Sequence, residues 1–273
     1  MSVNFTRRAL FAALPAAAMA AASRSTEGTI HLPLRSRLEV FKGSGVWQEV
    51  NFSRDFPVPQ TGVVICDMWN NHWCKGSAGR VAELARRMEP VLEQSRGAGL
   101  QIIHAPSEVM EFYKDHPARR RILAAPQVAP PASLALSDPP LPIDDKAGGC
   151  ETHDKFYKAW TREIATLKIG AGDVISDKGA EVYSFLRYRG IENLLVMGVH
   201  VNMCILNRTF AIKQMTKWGI HCVLVRDLTD SMYNPEAAPH VSHPRGTELV
   251  VEHIEKYWAP SALSRDLVKA LPA

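Results

Sequence analysis

The stretch Leu194-Leu195-Val196-Met197-Gly198-Val199-His200, which turns through Val201-Asn202-Met203 into Cys204, decides the fold. An unbroken apolar run of this kind reads as a strand covered on both faces. The residues that follow, Cys204–Trp218, read as a helix. Outward from this unit the same alternation recurs. Gly62-Val63-Val64-Ile65-Cys66 and Leu100-Gln101-Ile102-Ile103-His104 are buried strands, Val174–Ser176 a short one, and Cys222–Arg226 another. Between them, Ala78–Gly97 carries Val81, Leu84, Met88, Val91 and Leu92 on one helical face and ends at Gly97 and Gly99. Glu181–Tyr188, stopped by Gly190, and residues 246–257 are further helices. Strands alternating with helices predict an α/β fold: a doubly wound, mostly parallel sheet with helices on both faces. Ligands of such sheets bind at the carboxyl ends of the strands.

The bulk properties agree with one α/β domain. The chain has 273 residues, of which 46% are hydrophobic and 22% charged, with a net charge of +4. This excludes a disordered chain, and the modest, unclustered charge disfavours a nucleic-acid partner. No GxGxxG or GxxxxGK[ST] motif is present, so nucleotide binding has no support. Residues 1–25 read as a signal peptide: Thr6-Arg7-Arg8, an apolar run from Ala9 to about Ala22, then small residues. The paired arginines resemble a twin-arginine export signal, which implies a periplasmic or secreted protein. The run is too short to be a stable membrane span. Residues 26–60 read as an N-terminal extension with one strand at Leu38–Phe41, residues 61–258 as the domain, and residues 259–273 as a C-terminal tail. Residues 125–150, rich in Pro, Ala and Asp, are expected to form a long ordered loop.

Five cysteines leave at least one thiol unpaired. Cys66 and Cys222 lie in apolar strands and read as core residues. Cys74 and Cys150 lie in polar surroundings and either pair or stay free. Cys204 differs, because it opens a helix at a strand end, where the helix dipole lowers a thiol pKa. The backbone N–H groups of Met203 and Cys204 are candidates to hold an oxyanion there. Asp67 ends the first core strand and is placed to exchange a proton with the thiol. Lys178, in Ser176-Asp177-Lys178, would hold that aspartate charged.

These segments, Val63-Val64-Ile65-Cys66-Asp67-Met68, Gly172-Asp173-Val174-Ile175-Ser176-Asp177-Lys178 and Gly198-Val199-His200-Val201-Asn202-Met203-Cys204-Ile205, resemble the isochorismatase-like cysteine hydrolases, the family of nicotinamidases and carbamoylsarcosine amidases. The resemblance spans about residues 60–230. It implies a catalytic triad of Asp67, Lys178 and Cys204, a thioester acyl-enzyme, a small-molecule substrate and a homo-oligomer. Two departures stand out. Only a short loop follows Lys178, with Lys155, Lys158 or Lys168 as alternatives. The segment Asp67-Met68-Trp69-Asn70-Asn71-His72-Trp73-Cys74 lacks the Gln and Asp-Phe pair usual in the family. Its Trp and His residues imply a pocket with aromatic walls and a different substrate.

Substrate contacts are expected from Trp69, His72, His104, His200 and Asn202. No cofactor is expected, and the alternative is a divalent ion such as zinc, which the nicotinamidase-like relatives carry. Its candidate ligands are His72, His104 and His116, with Glu108 or Asp115. The function expected is cleavage of a C–N bond in a small amide or ureido compound. The rivals are a silent binding protein on the same fold and a vinyl-ether hydrolase of the isochorismatase type.

Overall fold

The computed structural model describes residues 28–272. The expected export signal at 1–25 lies outside them. In chain order the strands are β1 (Thr29–Glu39), β2 (Trp47–Pro57), β3 (Thr61–Cys66), β4 (Gln101–Ala105), β5 (Val174–Ile175), β6 (Asn193–Val199), β7 (His221–Asp230) and β8 (Ser261–Ala262). The helices are α1 (Lys75–Gly97), α2 (Pro117–Leu123), α3 (Gly179–Arg189), α4 (Cys204–Asn207), α5 (Ile212–Lys217), α6 (His243–Tyr257) and α7 (Ser264–Ala270). All eight strands form one sheet in the order β2-β1-β8-β7-β6-β3-β4-β5. The run from β8 to β5 is parallel, and β1 pairs antiparallel with both β2 and β8.

The apolar runs of β3 and β6 are buried at every position, as strands between two helical layers must be. On one face Val64, Val196 and Leu224 pack with Phe185, Phe210, Val250 and Ile254 from α3, the α4–α5 link and α6. On the other, Val63, Ile65, Leu195 and Met197 pack with Leu84, Met88 and Leu92 of α1 and Leu267 of α7. Among the described residues, no helix is long and apolar enough to cross a membrane.

Three differences from the sequence reading have local causes. The segment set aside as an extension is a long hairpin joined to the sheet. Ile30, Leu32 and Leu34 alternate inward and bury in the same core as α1, while β2 is mostly exposed. The C-terminal segment likewise adds β8 and α7 to the fold. The helix expected over Cys204–Trp218 is two short helices, because Phe210 turns into the core between them. At the same break the Thr209 hydroxyl accepts the Gly179 N–H (2.9 Å), at the start of α3.

Residues 124–173 carry no helix or strand of their own. They are tied down by a disulfide between Cys150 and Cys74, the residue that caps α1. Cys66, Cys204 and Cys222 are free thiols, the first and last of them buried.

Candidate active site

The carboxyl ends of β3 and β6 bring Asp67 and Cys204 together. The β6 chain crosses β3 at Gly198 (φ +113), where a Cβ would lie 2.1 Å from the Cys66 carbonyl oxygen, so only glycine permits the strands to pair this closely. After His200 the chain tightens: the Met203 and Ile205 N–H groups both donate to the His200 carbonyl (3.0 and 3.1 Å). This sets Cys204 at the first position of α4, half-buried. Asp67 lies just past β3 with φ +47, a left-handed conformation unusual outside glycine, and its side chain is completely buried.

The Asp67 carboxylate is held from three sides. Its Oδ1 accepts the Ser107 N–H (2.6 Å), its Oδ2 accepts Arg208 Nε–H (3.1 Å), and the Cys204 thiol adjoins it. Burial pushes the Asp67 pKa up. Arg208, the thiol and the Ser107 N–H oppose that push without cancelling it. The Cys204 thiol is also pushed well above its ordinary value, first by burial and then by the adjacent carboxylate, with Arg208 opposing. The resting thiol is therefore neutral. Burial and the neighbouring Asp67 thus push the thiol in the direction opposite to that expected from a helix dipole, and α4 is only four residues long.

Lys178 does not join this pair. It caps α3, its side chain is 64% exposed, and its ammonium lies 3.4 Å from Asp177. Lys155 and Lys168 are exposed as well, and Lys158 reaches only Glu108 (4.0 Å). The cation that does touch Asp67 is Arg208, whose Nη2 also donates to Glu108 Oε1 (3.1 Å). Glu108, at φ +68, is pinned by its own N–H on Asp177 Oδ2 (2.9 Å). Neither Arg208 nor Glu108 was assigned a role with the aspartate and the thiol from sequence. The available signal was the i,i+4 spacing of Cys204 and Arg208, which places them on one side of a helical turn.

Of the two N–H groups considered for an oxyanion, that of Met203 is already donated to the His200 carbonyl. The N–H of Cys204 has no hydrogen-bond partner among the described residues.

Beside Asp67 lies a narrow crevice of about 10 Å³, room for roughly one water, lined by Asp67, Trp69, Asn71, His72, Ala78 and Val81. Trp69 stacks on Trp160 with ring centroids 4.4 Å apart, and its indole N–H donates to the Ser107 carbonyl (3.1 Å). His72 stacks on Trp160 in turn (5.8 Å). Burial holds the His72 pKa down at about 4, so the ring is neutral. Its Nδ1 accepts the Cys74 N–H (3.1 Å), which puts its own proton on Nε2. On its outer side, Cys204 borders a shallow depression with Leu141, Asp145, Asn202, Met203, Asn207 and Arg208.

The remaining residues expected to meet substrate brace the site. His200, neutral with a pKa pulled down to about 3 by burial and by His72, pairs with the Ser77 hydroxyl (2.7 Å). The Asn202 amide bonds Asp145 (2.8 Å), the Met232 carbonyl (3.1 Å) and the Met232 N–H (2.9 Å). His104 has no exposed surface and lies between Glu163 (2.7 Å) and Asp173 (3.2 Å).

The candidate metal ligands do not fit an ion. Both ring nitrogens of His104 are bonded to carboxylates, the Nδ1 atoms of His72 and His116 accept backbone N–H groups, and the three rings do not converge. Glu108 is paired with Arg208. The close donor cluster found among the described residues is Cys74, Cys150 and Glu151, and its two sulfurs form the disulfide.

No protein-family model matches the chain, and no curated protein does. Solved structures do. A cysteine hydrolase from Pseudomonas syringae pv. phaseolicola 1448A aligns over 79% of this chain and 94% of its own, with 14% identity and a TM-score of 0.51. An isochorismatase from Pseudomonas putida KT2440 aligns over 78% and 93%, with 13% identity and a TM-score of 0.47. An isochorismatase family protein from Burkholderia thailandensis aligns over 78% and 96%, with 16% identity and a TM-score of 0.46. With its parallel sheet and the hairpin at one edge, the chain has the isochorismatase-like α/β fold.

Proposed function

We propose that this protein is an exported cysteine hydrolase that cleaves a C–N bond in a small amide or ureido compound. The observation that carries the proposal is the Cys204 thiol beside a buried acidic side chain, Asp67, with Arg208 bonded to both residues, at the strand ends of this fold. Asp67 takes the thiol proton as the sulfur bonds to the substrate carbonyl carbon, so no standing thiolate is needed. The free N–H of Cys204 faces the developing oxyanion. The C–N bond then breaks, and the leaving nitrogen takes the proton back from Asp67. Water adds to the thioester, gives a proton to Asp67 and releases the acid, and the proton returns to sulfur. The raised Asp67 pKa suits a group that carries a proton in alternate steps. The Cys74–Cys150 disulfide supports an oxidising compartment, in keeping with the export signal.

The test is ammonia release across a panel of amides and ureides. The Cys204→Ala variant is expected to lose at least about a thousandfold in turnover. Unchanged turnover in that variant overturns the proposal. A second reading, a silent binding protein, draws on the same neutral, largely desolvated thiol. It predicts that wild type binds members of the panel without releasing ammonia or forming an acyl adduct.

A further inference from the structure

We propose that Arg208 is the positioning cation of this site, resting on the hydrolase reading above: its guanidinium holds Asp67 ready to accept the proton and offsets the charge that develops on Cys204. The resemblance puts a lysine in this role, yet Lys178 points to solvent beside Asp177. Arg208 instead meets Asp67 Oδ2 through Nε and Glu108 Oε1 through Nη2, both at 3.1 Å. It follows Cys204 by one turn and donates its backbone N–H to the Cys204 carbonyl (3.0 Å), so thiol and cation move as one unit. The guanidinium bridges two carboxylates held by separate parts of the fold, and both sit at left-handed backbone positions, Asp67 at φ +47 and Glu108 at φ +68. Strained positions of this kind persist where the surroundings over-determine them, and they cluster at working sites.

The substitution changes the chemistry in one respect. A lysine can shuttle a proton, whereas a guanidinium stays charged at any working pH. Asp67 is then the sole proton carrier, and Arg208 acts through charge and geometry alone. The charged and titratable groups facing the pair are Asp67, Cys66 and Glu108 together with Arg208, and Lys158 approaches Glu108 from outside.

The test reads the thiol directly and needs no substrate. Iodoacetamide labelling of Cys204 is followed by peptide mass mapping between pH 6 and 10. Wild type, Arg208→Gln, Arg208→Lys and Lys178→Ala are compared. With the charge removed, Arg208→Gln is expected to label about tenfold more slowly at pH 8, its profile shifted upward by about one unit. Arg208→Lys, which keeps the charge, should stay within about threefold of wild type. A profile for Arg208→Gln that superimposes on wild type overturns the proposal. So does a tenfold loss in Arg208→Lys, which decides the matter even if the glutamine variant does not fold. A shift in Lys178→Ala as large as that expected for Arg208→Gln returns the role to the lysine. Failure of the hydrolase reading shows separately, as a wild type that releases no ammonia from any amide while these labelling shifts persist.

Discussion

His104 shows how much a single buried ring can set the pH response of the fold. Burial alone pulls its pKa down, but the Glu163 and Asp173 carboxylates outweigh this and hold it up at about 9. Asp173 is held near 2 by the same ring and by Arg96, against the opposing effect of burial. A histidine whose folded pKa is raised contributes stability that is fully present below its unfolded value of about 6.5 and lost as pH rises through the folded one. Urea unfolding should therefore show the protein losing on the order of 3 kcal/mol between about pH 6.5 and 9, a loss that His104→Gln would not show. A wild-type profile flat across that window refutes the assignment. The site itself was legible in sequence to the extent that its chemistry lies at strand ends. Asp67 closes an apolar run, and Cys204 follows one. Arg208 was not legible in this role, because its contact with Asp67 spans 141 positions and depends on where the helix after Cys204 breaks.

At the scale of the elements, the legible strands were those whose burial leaves no choice of residue. β3 and β6 are apolar after their first residue, β4 is buried throughout, and β7 opens on the apolar run Cys222–Val225. The hairpin of β1 and β2 was only partly visible. Ile30, Leu32 and Leu34 do alternate, but Pro33 lies among them, a residue that suits edges and bulges rather than sheet interiors. Exposed β2 has no core-facing pattern to read, since only Phe56 is buried along its length. The contact between β3 and β6 is the most demanding in the sheet. Gly198→Ala would drive a methyl group into the Cys66 carbonyl and force the strands apart next to both Asp67 and Cys204. The expected cost is on the order of 3 kcal/mol or more, read as a lowered denaturation midpoint together with loss of the Cys204 labelling profile of wild type. A variant with unchanged midpoint and labelling would contradict this packing.

For the whole molecule, the class of fold was legible because the alternation of strand and helix runs through most of the chain. The crossing of residues 124–173 was legible only as a long loop over 125–150; what orders it was not, because its partners are distant in sequence. These include the Cys74–Cys150 bridge, the Asp145 contact with Asn202, and Leu134 N–H on the Lys217 carbonyl (3.1 Å). Within that crossing, Leu134 and Leu136 stand 56% and 38% exposed. The bridge encloses them, since both lie between its two half-cystines in the chain. A protease that nicks the backbone there would therefore not divide the protein. A sequence-specific protease site inserted between Leu134 and Leu136, once cut, should leave one full-size band on a non-reducing gel and two fragments once dithiothreitol is added. Two fragments without reductant would show that the half-cystines are unlinked. Topologically, the fold is a ring with two tails, and a single cut opens the ring without releasing a piece.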